Sequence, residues 1–211
     1  MERLLVLKGA IEKLYQEKGQ NLLFHGWHHI QFVFQKCSEF TDELGADRFL
    51  VESAALVHDL NHIVDPNSET EDGADLRKEC LRRVGYTEKE ISTIEDIVLN
   101  AGIDQRTTTI SPESKALSDA DTLFKSLPIT PLLFTSRYIQ EKQSDIKTLA
   151  TRIVAKQQRI MDSGFYFYSN TANKKYLAWA KTNLELWNNV VECLGENAVA
   201  TLIKTAKQVE S

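Results

Sequence analysis

The chain has 211 residues and a net charge of −5, long enough for one large domain or a domain with an extension. That charge excludes a global basic field for recruiting a nucleic-acid duplex or an anionic membrane, so an anionic substrate requires a local cation. Three cysteines, Cys37, Cys80 and Cys193, show no CxxC spacing and fall among apolar helix positions, which predicts small buried hydrophobes of a reducing compartment. Charges interrupt the apolar residues of the N-terminus, and no run approaches transmembrane length; the expectation is a soluble, cytoplasmic protein.

In chain order the pattern is helix after helix, with few Gly and Pro and no stretch of strand-like alternation. Residues 2 to about 18 form an amphipathic helix that Gly19 ends. From about residue 28 to 44, Ile30, Val33, Phe34, Cys37 and Phe40 recur at helical spacing before Gly45. A third helix spans 47 to about 60. Ser68 with Glu71 fits a capping box, opening a helix with Leu76, Cys80, Leu81 and Val84, and Thr87 with Glu90 repeats the pattern ahead of Ile91, Ile94, Ile97 and Val98. A polar loop, GIDQRTTTI, leads to Ser111-Pro112, an N-cap followed by proline at N1. The helix that follows carries SDADTLF. Further helices are predicted at about 129–143, 145–162 and 173–194, with a short one to the end.

The third helix is the unusual one. Its apolar run, Ala54 to Val57, stops at His58-Asp59, and an imidazole beside a carboxylate in an apolar setting is costly unless paired or metal-bound. His62 lies four residues on, on the face of His58 if the helix continues. His25, His28 and His29 occur in HGWHH at the start of the second helix, and His29 precedes Val33 by one turn, so it projects inward. Asp119 and Asp121 flank Ala120. Helical position leaves these two acids nearly symmetric, and each alone reads equally as an ordinary solvated acid. Imidazoles and carboxylates on separate buried helices suit a divalent ion such as Mn, Fe, Co, Ni, Zn or Mg.

The order H…HD…D on consecutive helices resembles the HD-domain superfamily of metal-dependent phosphohydrolases. The matching residues are His29 in HGWHHIQFV, His58-Asp59 in AALVHDL and Asp121 in DADTLF, within roughly residues 22–127. HGWHH is also similar to the HNxxH of cyclic-nucleotide phosphodiesterases, and HDLNH to their HDxDH, although the longer motifs of that branch are absent. The resemblance implies an all-α fold: an HD-type helical bundle over 1–145, with a C-terminal helical extension, 146–211, packed on it. It implies a metal held by His29, His58, Asp59 and Asp121, with His25 as proton donor to the leaving oxygen, and Asp59 and His62 in the catalytic group. It also separates the two acids, because the ligand acid of HD proteins follows an alanine and precedes a residue–leucine pair, as in Ala120-Asp121-Thr122-Leu123.

The implied reaction is hydrolysis of a phosphate ester of a nucleotide or small metabolite. The alternatives are a non-hydrolytic HD protein that binds a nucleotide or other ligand, and a di-iron oxygenase. Two-metal relatives place extra histidines near VLNAG, where this chain has Asn100 and, one turn earlier, Asp96; one ion per chain is expected. Lys125 and Arg137 are candidates for gripping phosphate or are solvated surface cations. The aromatic run 165–168 either closes over a base or sugar or packs between helices.

Overall fold

A computed structural model describes residues 2–102, 106 and 109–207. The helices run α1 (Glu2–Lys18), α2 (Trp27–Leu44), α3 (Arg48–Val57), α4 (Asn61–Val64), a 3₁₀ turn at Thr70–Gly73, α5 (Ala74–Arg83), α6 (Glu88–Ala101), α7 (Pro112–Ser126), α8 (Thr130–Lys142), α9 (Ile146–Asp162), α10 (Asn170–Cys193) and α11 (Asn197–Lys207). Among the described residues there is no strand, so the fold is all-α as the periodicity predicts. Several boundaries follow directly from local chemistry. Gly45 takes the left-handed conformation (φ 68°) that closes α2, Thr87 and Glu90 form the expected capping box, and Ser111 caps α7 with Pro112 in its first turn. Most of the polar loop 102–110 lies outside the described residues.

α2 is the central helix, packed against α3 on one side and α7 on the other, with α1, α6 and the first half of α10 around them. Ile30, Val33 and Phe40 of α2, Ala54 and Leu56 of α3, and Ala116, Ala120 and Leu123 of α7 are fully buried in one core. Each large side chain buried in this way contributes about 1.5–3 kcal/mol. This packing brings the start of α2, the end of α3 and the body of α7 together. A smaller apolar cluster, Leu149, Ala150 and Trp187, ties α9 to the second half of α10. Arg77 of α5 is fully buried and reaches Glu95 of α6 through two parallel bonds, 2.8 and 2.9 Å, while its third donor meets the Thr70 carbonyl. This pairing fixes the outer helices α5 and α6 to each other.

Several expectations are corrected. α3 ends at Val57, and residues 58–60 form a turn held by i−3 bonds (Leu60 N to Val57 O, His62 N to Asp59 O) before α4 begins. The 68–71 box is displaced by one residue: Glu69 and Asp72 cap the 3₁₀ turn, and Ser68 donates back to Asn61 and Asp65 carbonyls. Cys37 is buried, but Cys80 is half-buried and Cys193 exposed, so the three thiols are not one class of core residue. Of the aromatic run, Tyr166 and Phe167 are buried in the main core.

Candidate metal centre

Two helix ends, one turn and the body of α7 supply the polar cluster. His29 sits in the first turn of α2, where its N–H bonds to the Gly26 carbonyl. Glycine is required at 26 because a Cβ there would stand 2.4 Å from the Leu22 carbonyl oxygen. His58 is the C-cap of α3, and its Nδ1 lies 2.9 Å from the Ala55 carbonyl. A carbonyl can only accept, so Nδ1 carries the hydrogen and Nε2 presents its lone pair to the cluster. Asp121 comes from α7, where Lys125 one turn on holds its Oδ2 at 2.5 Å and leaves Oδ1 toward His29.

The donor atoms converge. His29 Nε2 lies 3.2 Å from His58 Nε2, 3.2 Å from Asp59 Oδ2 and 3.4 Å from Asp121 Oδ1, and His58 Nε2 lies 3.4 Å from Asp59 Oδ2. Donors about 2.1 Å from a shared ion stand about 3.0 Å apart at right angles and about 3.4 Å apart at tetrahedral angles. The His29, His58 and Asp121 donors lie within 4.8 Å of one another, a spacing that suits one divalent ion, and Asp59 Oδ2 stands 3.2 and 3.4 Å from the two imidazoles. Asp59 Oδ2 strengthens the fit: it is buried and accepts no hydrogen bond from any described residue. Two imidazole nitrogens with two carboxylates form a mixed donor set that suits Zn, Mn, Fe, Co, Ni or Mg.

The electrostatics agree. Burial pushes the His58 imidazole down, which keeps it neutral and able to ligate. Burial also opposes charge on His29, but the Asp121 and Asp59 carboxylates prevail and hold it up at about 9. Against the cost of burial, Lys125 and His29 keep Asp121 well below the usual carboxylate range, and His58 and His29 do the same for Asp59. The two carboxylates thus hold a proton on His29, and a divalent ion bound there would take that proton's place.

A second group adjoins the first. His25, Asp59 and His62 each bring one donor atom within 4.8 Å of the others, so Asp59 stands between the two sets. The tightened turn at 58–60 is the reason His62 belongs here and not beside His58. Four residues at about 120° each rotate it roughly 120° away, whereas an α-helix would leave it about 40° off. The His25 and His62 rings lie 3.9 Å apart. Burial lowers both, His62 to about 3, with His25 and Lys142 adding to its fall. Lys142 Nζ lies 3.4 Å from His62 Nδ1 and donates to the Pro66 carbonyl, and this cation disfavours a second dication at the trio.

Glu141 of α8 is the residue that sequence reasoning missed. Its buried carboxylate accepts the backbone N–H groups of Phe24 (2.7 Å) and His25 (3.1 Å) and pairs with His25 Nδ1. Burial opposes its ionisation, but His25 and the two N–H groups bring it down to about 2. With Nδ1 engaged, Nε2 is the nitrogen of His25 left for proton exchange. Nothing in the polar string around Glu141 sets it apart from its neighbours.

The remaining candidates fall elsewhere. Asp119 is fully buried, not solvated, and faces away from the cluster: its oxygens accept the Tyr168 and Ser169 N–H groups, each at 2.8 Å, at the start of α10. Arg106 completes this anchor, donating to the carbonyls of Phe165 and Tyr166 and stacking on Tyr168, so the aromatic run packs between helices. Arg137 lies over the Phe134 ring, and Asp96 and Asn100 are exposed on α6. His28 stacks on Phe134, and burial holds it at about 4.

The family model of the HD domain matches residues 26–125, and this span contains His29, His58, Asp59 and Asp121. No curated protein and no solved structure matches the chain. Motif order, helix order and family model agree: residues 26–125 match an HD domain, which is consistent with the HD-domain superfamily.

Proposed function

We propose that the chain is a metal-dependent phosphohydrolase that cleaves a phosphate ester of a nucleotide or small metabolite with water. The observation that carries this reading is the placing of His29 Nε2 within 3.2–3.4 Å of donor atoms of His58, Asp59 and Asp121, inside a domain whose family includes many metal-dependent hydrolases. A divalent ion bound by these four residues supplies positive charge for the phosphoryl oxygens and a water that loses its proton near neutral pH.

The chain's own groups account for the rest. His25 would deliver a proton from Nε2 to the departing oxygen in its charged form, which burial disfavours and the Glu141 carboxylate at Nδ1 favours while fixing the ring. His62, its ring tilted 39° to that of His25 and kept neutral by burial, would supply a second imidazole beside Asp59 for moving the proton that the water releases. Lys125 orients Asp121 and adds positive charge at the edge of the site. In balance, the water oxygen bonds to phosphorus, the ester P–O bond breaks, and the leaving oxygen departs protonated.

A panel of phosphate monoesters and diesters, assayed with each candidate metal in turn, tests this reading. Turnover that depends on added metal and disappears with a chelator is expected. Tight ligand binding without turnover across the panel would instead indicate a non-hydrolytic binding protein, and an oxygen-dependent reaction with an iron chromophore would indicate an oxygenase.

A further inference from the structure

A cavity of about 260 Å³ opens beside the metal centre, with His25 and Lys125 on its near wall and α8, α9 and α10 enclosing the rest. All three enclosing helices lie beyond residue 125, outside the matched domain, so this space is a feature of the C-terminal helices. Its volume equals roughly nine water molecules, room for a ring system and more than one phosphate fills. The wall is aromatic: Phe24, Phe134, Tyr138 and Trp187 all line it, and Phe24 meets Tyr138 edge-on at 4.9 Å.

The charges of the lining are one-sided. Lys125, Arg152 and Lys156 line the cavity, and among the described residues no Asp or Glu does, although the chain as a whole carries −5. Lys125 is committed to Asp121 at the inner end. Arg152 and Lys156 are exposed residues one turn apart on α9, which sets their charge toward the outer end. The Arg152 guanidinium sits 5.1 Å from the Tyr138 ring centre and donates to its hydroxyl, a contact that positions the fork and leaves further N–H donors for an anion.

We propose that this cavity is the leaving-group subsite of the phosphohydrolase and that it takes an aromatic ring system carrying its own anionic substituent. The assignment rests on the hydrolase reading above. The ester's phosphoryl group faces the metal ligands, its ring lies along the aromatic wall, and the distal anion meets Arg152 and Lys156. Hydrolysis then releases an aromatic alcohol or phenol bearing that anion, with water as the sole co-reactant. The water oxygen ends on phosphorus, and one of its protons replaces the phosphoryl group on the leaving oxygen.

Two arms separate the subsite from the reaction. The first is calorimetric titration with naphthalene-2,6-dicarboxylate, an aromatic dianion without a phosphoryl group. It is expected to bind wild type without added metal, and about ten-fold more weakly to the double variant Arg152→Ala/Lys156→Ala. No binding to wild type, or equal binding to the double variant, overturns the subsite. The second arm compares kcat/KM for 6-carboxy-2-naphthyl phosphate and 2-naphthyl phosphate. The double variant is expected to lose about ten-fold more on the carboxylated ester than on the plain one, and equal losses overturn the anion contact. Probe binding with no hydrolysis of either ester counts against the hydrolase reading and upholds the cavity as an aromatic-anion site.

Discussion

Asp119 and Asp121 are two residues apart on one helix, and the structure gives them separate tasks that an isosteric change should expose. In Asp119→Asn, one acceptor oxygen becomes an NH₂ facing a backbone N–H at the start of α10, where the carboxylate accepts from both Tyr168 and Ser169 at 2.8 Å. One charge-assisted bond is lost and a buried donor is left unpaired, a cost of about 2–3 kcal/mol. For a chain of this length that is a fall in Tm of roughly 4–12 °C. Metal affinity should change little, because Asp119 faces away from the cluster. Asp121→Asn should do the reverse, since it removes an anionic ligand atom 3.4 Å from His29 Nε2. Its loss of metal affinity should exceed the ~10–100-fold typical of groups that only support ligands. Thermal unfolding followed by circular dichroism, with metal affinity measured on the same preparations, gives both quantities. A greater loss of metal from Asp119→Asn, or an unchanged Tm for it, would refute the assignment.

The other predictions concern the second imidazole group and the frame. His25→Ala should spare metal content and lower turnover most for esters with poor leaving groups; equal losses for good and poor leaving groups would mark His25 as structural. Glu141→Gln should also lower turnover, and it should add little to His25→Ala in a double mutant, because Glu141 acts through His25. Glu141 is depressed to about 2 from an ordinary 4.5, so its ionised form stabilises the fold above pH 4.5 and that contribution fades as pH falls toward 2. The stability gap between wild type and Glu141→Gln should therefore be constant above that pH and close below it, which acid unfolding curves will show. Glu95→Ala should cost about 3–5 kcal/mol in denaturant unfolding, because it strands the fully buried Arg77 without its carboxylate.

What the sequence made legible is what local chemistry determines. The helical periods, the Thr87–Glu90 box, the Ser111-Pro112 start and Gly45 all rest on neighbours a few residues away, and the structure contains each. The His58-Asp59 pair announced itself because polar groups end an apolar run. The rest depends on contacts between distant segments. Asp119 and Asp121 are nearly equivalent on a helix, and only the loop ahead of α10, some fifty residues on, gives Asp119 its N–H partners. Glu141 meets His25 because α8 folds back over the start of α2, a contact across 116 positions. The break after Val57 moves His62 away from His58, and the apolar pattern before it continues smoothly into the turn. Cys193 sits near the end of α10 where the packing thins, so its apolar neighbours did not imply burial.

The central claim is that His29, His58, Asp59 and Asp121 hold a divalent ion, and elemental analysis of the purified protein tests it most directly. Wild type should carry about one divalent metal per chain. His58→Ala/Asp59→Ala, which removes two adjacent ligands, should carry none while remaining helical. Equal metal content in the two proteins would contradict the account.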